Sequence, residues 1–132
     1  MLPEPGEELD LGRWVVGRDF VDDYLAAVED TSSTYAELDV VPPMALAARA
    51  LGALLRELAL PPGTIHAAQE LDCRRLVKPG QEVSCVASIS KPMRRGDWQF
   101  VSAKFTLRST GGEELMGGKS TVLVPVDQVA DG

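Results

Sequence analysis

The chain of 132 residues holds one histidine, His66, two cysteines, Cys73 and Cys85, and twenty acidic side chains against thirteen basic ones. A lone histidine with no Cys/His cluster does not match the usual zinc ligand sets, so no metal or other cofactor is expected. Both cysteines lie among apolar neighbours in strand-like segments. With no charged, apolar leader before them they read as reduced core residues of a cytoplasmic protein. Many side chains here could titrate, and His66 is the one imidazole among them. Asp30 follows a helix end, where a carboxylate more often caps or turns the chain than moves a proton. Tyr35, with an ordinary pKa of about 10, is a poor base at neutral pH. His66 begins a strand and is set to face away from Ile65 and Ala67, at a polar surface or interface position. Lys91, Arg94 and Arg95 form a basic loop that suits an anionic group or plain solvent. Arg49 stands inside an apolar helix, where a buried guanidinium requires a carboxylate or carbonyl partner, with Asp30 as the candidate.

The elements that position these residues follow from periodicity. Met44–Leu60 is almost entirely Ala and Leu, with Arg49, Arg56 and Glu57 its only charges. It opens on Pro42-Pro43 and stops at Pro61-Pro62-Gly63, which frames a helix. A helix apolar on nearly every side is expected to be buried on nearly every side, and this one is too short to span a membrane. Ahead of it, Met1–Leu11 reads as a loose arm and Arg13–Arg18 as a short strand. Asp19–Glu29 reads as an amphipathic helix with Asp19 as N-cap, and Asp30–Val41 as a polar linker. After Gly63 the period falls to two. Strands are expected over Thr64–Leu76 (with Ile65, Ala67, Leu71 and Cys73 on one face), Glu82–Ser90, Trp98–Arg108 and Leu115–Pro125. A turn is expected at Lys78-Pro79-Gly80 and a bulge at Gly117-Gly118. The expected architecture is α+β: one domain in which an antiparallel sheet wraps around a long buried helix. Residues 1–40 carry eleven acidic and two basic side chains, and the remainder nine and eleven. That balance, with no basic-aromatic stripe, argues against nucleic acid as a partner.

This order of elements resembles the hot-dog fold of MaoC-like enoyl-thioester hydratases and dehydratases over residues 12–125, with 1–11 as an arm and 126–132 as a tail. The run HAAQELDCRRLVKPGQEV (His66–Val83) carries most of the resemblance, supported by the helix before it and by STVLVP (Ser120–Pro125). The resemblance implies edge-to-edge pairing with a second hot-dog, as a homodimer or as a heterodimer with a catalytic hot-dog subunit. It also implies an acyl-CoA or acyl-carrier-protein thioester at the seam, and a place in fatty acid metabolism.

Hydration of an enoyl thioester needs a base and acid for water and donors for the thioester oxygen. The family draws the first from an Asp-x-Asn-Pro-x-His motif. Here that segment reads Asp30-Thr31-Ser32-Ser33-Thr34-Tyr35, so Asp30 matches and Tyr35 stands in place of the histidine. The family draws the second from His-Gly at the start of the buried helix. Here Pro42-Pro43 stands there and offers no N–H, so Pro43, Met44 and Ala45 become the candidate thioester contacts, and Lys91, Arg94 and Arg95 the candidate CoA contacts. The Pro-Pro opening resembles the N-terminal, non-catalytic halves of two-part MaoC-like dehydratases. The leading expectation is therefore an acyl-thioester-binding, non-catalytic half. The alternatives are a self-sufficient hydratase using Asp30 with Tyr35 or His66, an acyl-CoA thioesterase, and an interaction domain without a ligand.

Overall fold

The long apolar run does form a helix, but one side of it stays open. In the computed structural model, which describes residues 2–31 and 33–126 and leaves the Ala36 side chain undescribed, α3 spans Pro43–Leu58. Ala45, Leu46, Ala47, Ala50, Leu54 and Leu58 are buried, whereas Met44, Ala48, Arg49 and Arg56 face outward. The helix ends through Ala59 in the left-handed region (φ 47), just ahead of the Pro61-Pro62 stop.

Six antiparallel strands receive α3: β1 (Leu9–Val16), β2 (Ile65–Cys73), β3 (Gln81–Ile89), the short β4 (Met93–Arg95), β5 (Trp98–Ser109) and β6 (Glu114–Pro125). The sheet order is β1-β3-β5-β6-β2, with β4 paired to β5. Two further helices precede α3: α1 (Arg18–Ala27) and α2 (Thr34–Leu38). The α+β arrangement is as the sequence predicts. Val83, Cys85, Ala87 and Ile89 of β3, Val101, Ala103, Phe105 and Leu107 of β5, and Val122 and Val124 of β6 form the buried face beneath α3.

Several local expectations are corrected. The N-terminal arm is tied down: β1 begins at Leu9, which is buried, and Gly6 N–H donates to Ile89 O at 3.0 Å. A bulge at Leu11 lets β1 start this early, with Gly12 at φ 105 and its N–H on Asp10 Oδ1 at 2.8 Å. Gly17 rather than Asp19 is the N-cap of α1, and Asp19 lies in the first turn, where a carboxylate favours the helix dipole. The supposed linker contains α2, opened by a Ser33 Oγ–Glu37 Oε1 hydrogen bond of 2.9 Å. The register runs unbroken through Gly117-Gly118; the β5–β6 shift lies at Leu107/Arg108 instead. Gly118 serves a different purpose, because a Cβ there would lie 2.3 Å from the Phe105 ring. Phe105 lies flat over its cross-strand partner only because that partner has no side chain. Cys73 is exposed rather than in the core, while Cys85 is buried and both thiols are free. Beyond Val126, the expected C-terminal tail lies outside the described residues, as do Met1 and Ser32.

Candidate functional site

The start of α3 is fixed from three directions. Val41 N–H donates to Val77 O at 2.7 Å, which ties the helix entry to the loop after β2. Val40 N–H donates to Tyr35 O at 3.2 Å, which brings the end of α2 to the same place. Arg18 of α1 bridges Asp39 at 2.6 Å, a surface pair worth at most about 1 kcal/mol but enough to orient the loop. Around this entry stand Leu38 (63 % exposed), Met44 (54 %) and Leu76 (64 %), an apolar collar open to solvent.

Pro42 is buried and caps the helix without a side-chain bond, and Pro43 follows as its first residue. Ala45 N–H is already committed to Pro42 O at 3.0 Å. Met44 N–H is therefore the first donor the helix can offer to a ligand, where α-helices ordinarily present several. Tyr35 lies in α2 at this entry and Asp30 on the segment joining α1 to α2; both are half-buried.

His66 is elsewhere. A bulge in β2 between His66 and Ala68 moves His66 onto the register of Val122, a buried-face residue, so it shares the α3 side of the sheet instead of facing away. It also sits at the opposite end of the sheet. The start of α3 is tied to the Val77 loop, next to the Val16–Gln81 end, where Gly80 N–H meets Val16 O. The far end of α3 and the start of β2 lie by Pro125. At about 3.3 Å per strand residue the two ends are roughly 30 Å apart. Within one chain the fold does not bring His66 to Asp30 and Tyr35.

Lys91, Arg94 and Arg95 lie on and beside β4, at the end away from the α3 start. Arg95 stacks over Phe100 at 5.6 Å and Arg94 Nε donates to Gly96 O at 3.3 Å, so two of the three cations already have partners. Arg49 is exposed rather than buried. Its guanidinium lies 4.8 Å from the centre of the Trp14 ring and 5.6 Å from that of Phe20, so aromatic faces take the place of the expected carboxylate.

The sequence reading missed Ser120. It is 2 % exposed, on the α3 side of β6 and opposite half-buried Gln69 of β2, and its hydroxyl has no partner among the described residues. A buried, unsatisfied hydroxyl costs about 1–3 kcal/mol. A lone serine opening an otherwise apolar alternation was the available signal. Burial, with the Asp10 carboxylate second, pushes the Cys85 thiol from its ordinary 9.0 up to about 12 and leaves it inert. Among the described residues no group of three or more His, Cys, Asp or Glu side chains could hold a metal, and no helix is long and apolar enough to cross a membrane.

With this geometry in view, comparison with solved structures is decisive for the architecture. R-hydratase PhaJ1 from Pseudomonas aeruginosa superposes with a TM-score of 0.76 at 18 % identity, covering 93 % of this chain and 83 % of that one. This chain has the hot-dog fold. The C-terminally truncated HadBC 3R-hydroxyacyl-ACP dehydratase complex from Mycobacterium tuberculosis matches this hot-dog with a TM-score of 0.75 at 18 % identity, over 92 % and 97 % of the two chains. A MaoC-like dehydratase from Rhodospirillum rubrum matches it with a TM-score of 0.74 at 18 % identity, over 93 % of each. No protein-family model and no curated protein sequence matches the hot-dog chain.

Proposed function

We propose that this chain is an acyl-thioester-binding hot-dog that forms the non-catalytic half of an enoyl-thioester hydratase or dehydratase, paired with a catalytic hot-dog subunit. The observation that carries the reading is the start of α3. Two prolines remove donors, Ala45 closes on Pro42, and a single N–H at Met44 remains to meet a thioester oxygen. Tyr35 stands where the resemblance calls for a histidine, and His66 is held at the other end of the sheet. A site of this kind can seat an acyl thioester but lacks the imidazole of a water-activating Asp/His pair.

The need for a partner is supported by β2. Among the described residues its outer edge has no strand beside it, and Ile65 is 47 % exposed. A second hot-dog paired there would cover the edge and enclose the face on which Gln69, Ser120 and the α3 collar lie. An acyl chain along that seam would meet apolar side chains, with the Ser120 hydroxyl and Met44 N–H as polar contacts.

The test is hydration of crotonyl-CoA by the purified chain alone, followed by loss of enoyl-thioester absorbance, alongside thermal unfolding with acyl-CoA. The expected result is no turnover together with a raised melting temperature at acyl-CoA well above its Kd. Turnover abolished by Asp30→Ala would overturn the reading, and release of free CoA from saturated acyl-CoA would replace it with a thioesterase.

A further inference from the structure

The face of the sheet turned away from α3 carries a second feature, unrelated to the thioester reading. Arg13 of β1 pairs in register with Ser84 of β3, which pairs with Arg108 of β5. Residues directly opposite in antiparallel strands share a face, so the three form one row across the sheet. With strands about 4.8 Å apart, the two arginine Cα atoms stand roughly 10 Å from each other across the serine. The row borders a hollow of about 230 Å³, closed on one side by the Ser109–Gly112 turn and on another by Glu82.

How the other arginines are engaged makes this row distinctive. Arg18 pairs with Asp39, Arg74 with Asp72 and Glu114, and Arg75 with Glu113. Arg49 and Arg95 lie on aromatic rings, and Arg94 donates to a carbonyl. Among the described residues only Arg13, Arg56 and Arg108 have no such partner, in a chain where acids outnumber bases twenty to thirteen. Two of these three converge on one hollow. Glu82 borders it without an ion pair to either arginine. Ser109 Oγ is taken by the Glu113 N–H at 3.2 Å, which leaves the hydroxyls of Ser84 and Thr110 available beside the guanidinium groups.

We propose that this row is a phosphate-binding site. Two guanidinium forks match the several oxygens of a phosphoryl dianion, where a carboxylate would occupy only one fork. The hydroxyls of Ser84 and Thr110 supply neutral donors between them. The Glu82 carboxylate repels an anion and sets the seat toward Thr110. The ligand class is a small phosphate-bearing molecule, either free phosphate or the phosphorylated end of a nucleotide.

The experiment is a titration of the full chain, ¹⁵N-labelled and at low ionic strength, with inorganic phosphate and separately with adenosine 3′,5′-bisphosphate. Saturable shifts are expected at Arg13, Ser84 and Arg108–Gly112. Arg13→Gln and Arg108→Gln are each expected to weaken binding about tenfold or more, Arg108→Lys to recover part of the loss, and Glu82→Gln to tighten it. Both arginines are exposed, so the melting temperatures of these variants should stay near that of the parent chain. Tighter binding of the bisphosphate assigns the site to a nucleotide; equal binding assigns it to free phosphate. Shifts that do not saturate at millimolar phosphate, or binding unchanged in the double Arg13→Gln/Arg108→Gln variant, would overturn the proposal. Neither readout involves the thioester site.

Discussion

Strands β2 and β3 are each nine residues long and each pairs antiparallel, yet they occupy opposite situations. In β3 every second residue is buried, from Val83 to Ile89, because β1 and β5 flank it and α3 lies across it. In β2 only Gln69 and Leu71 are even half-buried; among the described residues β6 is its single neighbour and no strand lies along its outer edge. Strands of equal length and pairing sense thus end up unequally buried, and position in the sheet decides which is flanked on both sides and which lies at the edge.

The contrast can be broken most severely from the covered side. Phe105→Ala removes a fully buried ring beneath α3 and should cost about 3–5 kcal/mol, read as a lowered urea midpoint. Gly118→Ala approaches the same ring from below. Its methyl would overlap Phe105, so a loss of about 1–3 kcal/mol is expected, with Phe105→Leu restoring part of it in the double variant. On β2 the same kind of change should hardly register in the isolated chain. Leu71→Ala, at a half-buried edge position, is expected to cost about 1 kcal/mol or less in unfolding. Ile65→Lys should leave unfolding unchanged but weaken strand pairing with a partner, measured by sedimentation.

The two cysteines sharpen the contrast at smallest amplitude. Cys73 on β2 should react promptly with a thiol reagent and become protected on pairing, whereas Cys85 on β3 should resist in both states. Because the folded Cys85 pKa, about 12, lies above the ordinary 9.0 of an unfolded chain, the unfolded state releases this proton first. The contribution of the neutral thiol is therefore whole below pH 9 and declines as pH rises from about 9 to about 12. Cys85→Ala should flatten that part of the stability profile.

Where the sequence was legible, and where it was not, follows the same division. Val83, Cys85, Ala87 and Ile89 recur at every second position, so β3 and its buried face could be read directly, and the prolines framed α3. On β2 the pair Ala67-Ala68 suits either face, so nothing announced the bulge that turned His66 toward the helix side. Helix α2 has five residues and no apolar period, and was hidden in a polar segment. Arg49 was misjudged because composition does not tell which side of a helix its neighbours leave open, nor that Trp14 and Phe20 would supply the surface beneath it. Of the candidate site, the altered residues Tyr35 and Pro42-Pro43 were visible as residue types. The commitment of Ala45 N–H, the isolation of His66 and the orphaned hydroxyl of Ser120 are products of packing, which no single segment encodes.

The uneven placement of charge gives the molecule a direction. Asp19, Asp22 and Asp23 project from α1 and Glu37 from α2, while Arg13, Lys104, Arg108 and Lys119 stand without ion pairs on the opposite face of the sheet. Acidic charge is therefore concentrated over α1 and α2, whereas the outer face of the sheet interleaves its cations with Glu70, Glu82 and Glu114. An acidic macromolecule diffusing toward the protein at low salt would be turned away from the side of α1 and α2 before any contact forms.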